Sequence, residues 1–333
     1  MMNKRLKQGS TFLLAVALTF PLLTLPGAKA ASAIDTDAEC SIEFDISGNS
    51  SELLSASIPV NLYKVASVDV SGNYTATGTF AKLDLSSVSA DNLDTAAATW
   101  SERAAEAKKL LKDDTEPTTT VTLTQGRGTA TGLNTGLYLV DTPEVVTTNY
   151  TYTFTPYLVS LPTNNYYSNG NDDWIYDLTK EYNSAVGLKP EEHARYGDLK
   201  INKTLAHHNA TTGKKATFVF KIEITPLKGK TETRIESLDF EAAGDSSVTI
   251  TKIPAGATVK VTEVYRGASY KLISENDQET TIVATDKDAK GDPASVSFTN
   301  DVDDNMNGGY GVRNNFKLDE NGQYQYTEPA AKN

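Results

Sequence analysis

From about residue 40 onward the chain runs in short stretches of alternating apolar and polar residues, the period-2 signature of strands with one buried face. The first series covers Ile58–Ala66, Tyr74–Phe80, Thr119–Leu123, Gly136–Asp141, Tyr150–Leu161 and Trp174–Thr179. Its separators are turn material: Ser71-Gly72-Asn73, Gln125-Gly126-Arg127-Gly128 and Asn169-Gly170-Asn171. Ala97–Lys112 breaks the pattern. It is alanine-rich, and Trp100, Ala104, Ala107 and Leu111 recur three or four apart, so it predicts one amphipathic helix packed on the sheets. Glu181 to Gly197 has mixed charge and no apolar period, which reads as a linker. A second series follows: Leu199–Leu205, Thr217–Ile224, Ser247–Ile250, Thr258–Tyr265, Tyr270–Ser274, Thr281–Ala284 and Ser295–Asn300. Short strands with frequent turns predict an all-β protein of two tandem sandwich domains, 38–190 and 197–302, with a polar tail at 303–333.

The first thirty residues stand apart. Lys4, Arg5 and Lys7 lead into the apolar stretch Thr11–Leu25 and then Ala28-Lys29-Ala30, the layout of a cleavable export signal spanning 1–30. The expected location is therefore secreted or cell-surface, with no membrane contact after cleavage. The formal charge is −12 and becomes more negative once the four cationic residues of that segment leave. Such a surface repels phosphate backbones and anionic headgroups, which disfavours nucleic acid and membrane as partners. Cys40 is the single cysteine, so an exported chain of this length has no internal disulfide to stiffen it. His193, His207 and His208 crowd into one stretch, leaving no dispersed set for a hydrolase triad or a zinc site. Asp301, Asp303 and Asp304 lack the spacing of a calcium loop, so no metal or cofactor is expected.

The chemistry is carried by three polar residues on apolar strand faces. Alternation places Lys203 with Leu199, Ile201 and Leu205; Glu263 with Val259 and Val261; and Asn300 with Val296 and Phe298. Burying an ammonium and a carboxylate is costly unless they are paired. One reading is an ordinary ion pair or an exposed strand end. The other is covalent: desolvation leaves the Lys203 amine neutral, the amine attacks the Asn300 carboxamide, and Glu263 shuttles protons as ammonia leaves.

The strings GDLKINKTL, ATFVFKI, IPAGATVKVTEVY and VSFTND resemble the isopeptide-bearing, Ig-like domains of Gram-positive pilins and collagen-adhesin B-type repeats (Cna-B). The resemblance covers about residues 197–302. It implies that Lys203 is the linking lysine, Asn300 the linked asparagine and Glu263 the catalyst of an intramolecular amide bond. Lys200, the rival lysine, lies on the opposite strand face.

Through IPVNLYKVASVD, TGLYLVDTPE, TPYLVSLP and WIYDLTKEY, residues 38–190 resemble the N-terminal domain of the same pilins. There Asp141 stands where the family often has its acidic residue, but Asp45 occupies the first-strand lysine position. A second bond between Lys64 and Asn183 is one expectation; a lysine whose head reaches water from the core edge is the other. The resemblance also implies polymerisation by a sortase through a lysine, for which Lys189 and Lys180 are the candidates, although Glu191 follows Pro190 where the family motif has a second lysine. The end Tyr-Thr-Glu-Pro-Ala-Ala-Lys-Asn shows no LPxTG-like signal, so a terminal role, a truncated protein and assembly without sortase stay open. For the tail, strand donation by Tyr310–Tyr326 to a neighbour and plain disorder are both open. The function so implied is a structural pilus subunit with other pilins as partners. The alternative is an adhesin binding a host surface ligand through tyrosines such as Tyr150, Tyr152, Tyr166 and Tyr167.

Overall fold

The computed structural model describes residues 32–90, 97–164, 174–179, 185–211, 215–267, 269–286, 289 and 291–303, and the backbone of 315–318 and 324–327. The export segment, Tyr166, Tyr167, Lys180 and Asn183 lie outside these residues. The fold is all-β, as the alternation predicts, and the chain divides into two compact units at Ala194/Arg195.

In the first unit the strands are β1 (Glu39–Asp45), β2 (Ile58–Val68), β3 (Tyr74–Ala76), β4 (Thr119–Leu123), β5 (Arg127–Asn134), β6 (Gly136–Asp141), β7 (Val145–Val146), β8 (Tyr150–Phe154), β9 (Tyr157–Leu161), β10 (Thr163–Asn164), β11 (Trp174–Ile175), β12 (Asp177–Leu178) and β13 (Pro190–Ala194). A four-residue helix, α1 (Ser51–Leu54), and a longer one, α2 (Ala97–Leu110), interrupt them. The central sheet runs β3-β2-β6-β9, with β4 also pairing β2. One of its faces shares a core with β1, β5 and β12 around Ile42, Phe44, Val60, Leu62 and Tyr138. Its other face carries Tyr63, Val65, Leu137 and Leu139 against Ala104 and Ala107 of α2. Strand β6 is therefore buried on both sides and reads as a continuous apolar run.

Several local readings change: Tyr74–Phe80 is a strand only as far as Ala76, Tyr150–Leu161 splits into β8 and β9, Glu232–Phe240 is a strand that was not expected, and in place of Thr281–Ala284 the strand is Asp277–Thr281. Gln125 and Gly126 both take positive φ, 53° and 77°, and form a two-residue hairpin turn, so the strand resumes at once at Arg127 where a longer turn was expected. Residues 190–194, expected in a linker, form β13 and pair antiparallel with β8.

The second unit holds β14 (Tyr196–Leu205), β15 (Ala216–Thr225), β16 (Glu232–Phe240), β17 (Gly244–Pro254), β18 (Thr258–Tyr265), β19 (Tyr270–Leu272), β20 (Asp277–Thr281) and β21 (Ala294–Val302). They form two four-stranded sheets, β17-β14-β21-β19 and β16-β15-β18-β20. Phe218, Phe220, Ile222, Val261 and Phe298 fill the core between them, each contributing on the order of 2 kcal/mol by leaving water. All pairs are antiparallel except β14 with β21, the first and last strands, which lie parallel side by side. Gly197 makes this entry possible: a Cβ there would stand 1.8 Å from the Val283 carbonyl oxygen. Beyond the sandwich, β22 (Asn315–Leu318) and β23 (Tyr324–Thr327) pair with each other as a hairpin.

Candidate functional site

Three strands of the second unit bring Lys203, Glu263 and Asn300 together. In β14 the burial pattern alternates strictly from Gly197 to Leu205, so Lys203 points inward and Lys200 is exposed. In β21 Asn300 follows Val296 and Phe298 on the inner face. Parallel register sets Lys203 beside Phe298 and Leu205 beside Asn300, which places Lys203 and Asn300 two residues apart on one face of one sheet. Glu263 comes from β18 of the facing sheet. The residues are 1 %, 1 % and 0 % exposed, as deep as the surrounding phenylalanines.

The contacts close a triangle. Lys203 Nζ donates to Glu263 Oε2 at 2.7 Å and also to Asn300 Oδ1. Asn300 Nδ2 donates to Glu263 Oε1 at 2.7 Å. One carboxyl group thus touches both a nucleophile and a potential leaving group, and it can pass a proton between them without water. The Phe218 ring centre lies 4.4 Å from Nζ. Burial pushes the Lys203 ammonium below its ordinary range, against the hydrogen bond and charge of Glu263 and with the charge of Arg266.

In the first unit Lys64 and Asp141 stand on opposite faces of one sheet, and Asn183 lies outside the described residues. Lys64 is half-buried and lies on the same strand face as Val60 and Leu62, where burial pushes its ammonium down. Asp141 lies with Leu137 and Leu139 on the opposite face of the sheet and is bonded to Lys108 of α2. A strand side chain cannot cross its own sheet, so Asp141 has no access to Lys64. Lys189 is exposed, with its Nζ 5.9 Å from the Tyr157 ring centre. Tyr152 is 2 % exposed and its hydroxyl contacts Ser50 and Glu192, so it offers no stacking face to a sugar.

Sequence reasoning missed Phe218, whose ring faces the lysine, and Tyr270, which packs edge-on against that ring, because two aromatics on separate apolar faces carry no pattern of their own. It also missed Arg195, assigned to a linker: its guanidinium is buried and grips Asp286 in two hydrogen bonds of 2.9 and 2.6 Å. Among the described residues no group of His, Cys, Asp and Glu could hold a metal ion, and no helix is long and apolar enough to cross a membrane.

Residues 199–303 match the family model described as a domain of unknown function (DUF5979). That span runs from the strand bearing Lys203 to just past Asn300. A search of curated proteins returns no match. Similar solved structures include the minor pilin of Streptococcus agalactiae, at 15 % identity over 74 % of this chain and 83 % of that one, with a TM-score of 0.22. Another is the major pilin protein of Streptococcus pyogenes, at 13 % identity over 82 % of this chain and 100 % of that one, TM-score 0.22. The TIE protein of Bacillus anthracis is 14 % identical over 55 % of this chain, which spans only 28 % of that one, TM-score 0.28.

Proposed function

We propose that the chain is a structural subunit of a surface pilus whose second unit fastens itself with an amide bond between Lys203 and Asn300. The observation that carries this reading is the buried triangle of Lys203, Glu263 and Asn300. A plain ion pair needs no third member, whereas here the acceptor carboxylate is bonded at once to the amine and to the carboxamide it faces.

In the proposed step the neutral Lys203 amine adds to Asn300 Cγ. Glu263 takes a proton from the amine through Oε2 and delivers one to Asn300 Nδ2 through Oε1. The Cγ–Nδ2 bond breaks, ammonia leaves, and a secondary amide joins the two side chains. Glu263 ends as it began. The product ties the first strand of the sandwich to its last, and each molecule reacts once. The other partners of this reading are further pilin subunits, with Lys189 exposed for joining by a sortase. The adhesin alternative gains no support from Tyr152, whose ring is buried.

Intact mass and peptide mapping of the full chain test the reading. A deficit of about 17 Da, one ammonia, in the wild type but in neither Lys203→Ala nor Glu263→Ala is expected, with residues 203 and 300 in one linked peptide. Full mass in the wild type removes the amide.

A further inference from the structure

Next to the Lys203 site a short strap of chain, residues 206–209, is pinned to β21 and to Tyr270. Ala206 N donates to Asn300 O at 2.9 Å, His207 Nδ1 stands 2.8 Å from Asp301 Oδ1, and Asn209 N donates to the Tyr270 hydroxyl at 3.1 Å. Tyr270 is 7 % exposed, and its ring packs edge-on against Phe218 with centres 5.5 Å apart. Phe218 meets Phe240 on another side at 5.7 Å and presents its own ring to Lys203 Nζ. The strap, the tyrosine, the phenylalanine and the amine form one continuous stack.

We propose that Tyr270 is a positioning residue for amide formation: its ring holds Phe218 against the Lys203 amine, and its hydroxyl fastens residues 206–209 beside the site. This rests on the amide-forming reading above. A free lysine stem samples many rotamers, and a fixed aromatic wall leaves those that keep Nζ against the Asn300 carboxamide. The same packing excludes water, which keeps the amine neutral in the low-dielectric interior. The charges facing Nζ are Glu263 of β18 and, farther off, Arg266 beyond it. From β14 and β21 its neighbours are uncharged, and the His207–Asp301 pair lies at the rim. Opening this packing therefore restores hydration of the ammonium and moves the reaction to higher pH.

The test uses the chain from residue 32 to 333, recovered unfolded from inclusion bodies before reaction and refolded by dilution across a pH series. Intact mass against time gives the rate, and circular dichroism confirms that each variant is folded. Wild type is expected to lose about 17 Da with a rate that rises through a defined pH. Tyr270→Leu is expected to react at least about tenfold more slowly, with its half-maximal pH displaced upward. Tyr270→Phe, which keeps the ring but releases residues 206–209, is expected to react at a rate between the two, with its half-maximal pH displaced less than in Tyr270→Leu. A wild-type rate in Tyr270→Leu overturns the inference, and so does a slower rate with an unmoved pH profile. No mass loss in the wild type at any pH removes the amide reading itself, a result distinct from either.

Discussion

Replacing Glu263 by Gln keeps the size of the side chain and removes its ability to carry a proton between Lys203 and Asn300, so the variant should fold without the amide. The linked residues are 97 positions apart. Closing a loop of that length restricts the unfolded chain by about 4.7 kcal/mol in the loop-entropy treatment of cross-links. A unit of this size has an unfolding entropy of roughly 0.2 kcal/mol/K, so losing the bond alone should lower its melting temperature by about 20 °C. The uncompensated buried lysine adds to that fall. Calorimetry of the full chain reads the shift, and hydrogen exchange over Tyr196–Leu205 and Ala294–Val302 assigns it to the second unit. A 17 Da deficit persisting in Glu263→Gln would refute the proton shuttle. An unlinked variant that melts within a few degrees of the wild type would refute the entropy argument.

Gly197→Ala should destabilise the second unit by about 2–3 kcal/mol, because its Cβ meets the Val283 carbonyl and the backbone must shift; unchanged thermal unfolding would show that the strand entry yields freely. Asp141→Asn removes the ion pair to half-exposed Lys108 and should cost the first unit about 1 kcal/mol. Peptide mapping of that unit should find Lys64 unmodified. Burial pushes the Cys40 thiol up to about 11 from 9.0. The stabilisation is thus complete below about pH 9 and lost as pH rises toward 11. Native Cys40 should resist a thiol reagent at pH 8 and react at once in denaturant, and rapid native labelling would contradict its burial.

Period-2 alternation was enough to place Lys203, Glu263 and Asn300 inward, since each ends an apolar face whose other members could only be core. What alternation cannot convey is which strands are neighbours. The contact between β14 and β21 joins residues almost a hundred positions apart, and it entered the sequence reading through family resemblance. Two of the strands that alternation did not predict, Glu232–Phe240 and Asp277–Thr281, are sheet edges. Edges carry charges that discourage further pairing, so their composition resembles loop. For Lys64 the reading of its own face was correct, and Asp141 lies on the other face of the same sheet. Along β6 the residues that share a face with Asp141 are Leu137 and Leu139, which look toward α2, a helix whose side of the sheet the linear pattern does not reveal.

The parallel pairing of β14 and β21 also decides how the second unit would respond to being stretched. Chain enters at the start of β14 and leaves at the end of β21, and in a parallel pair those points lie at opposite ends of the sandwich. A pull along the chain therefore shears the two strands along their length. With Lys203 and Asn300 joined, the residues between them would form a closed ring that tension bypasses, about 330 Å of extended chain withheld from the contour of the stretched protein. Such a module would transmit a tug without lengthening and has no slack to absorb it, so the compliance of any assembly built from it would have to arise outside this unit.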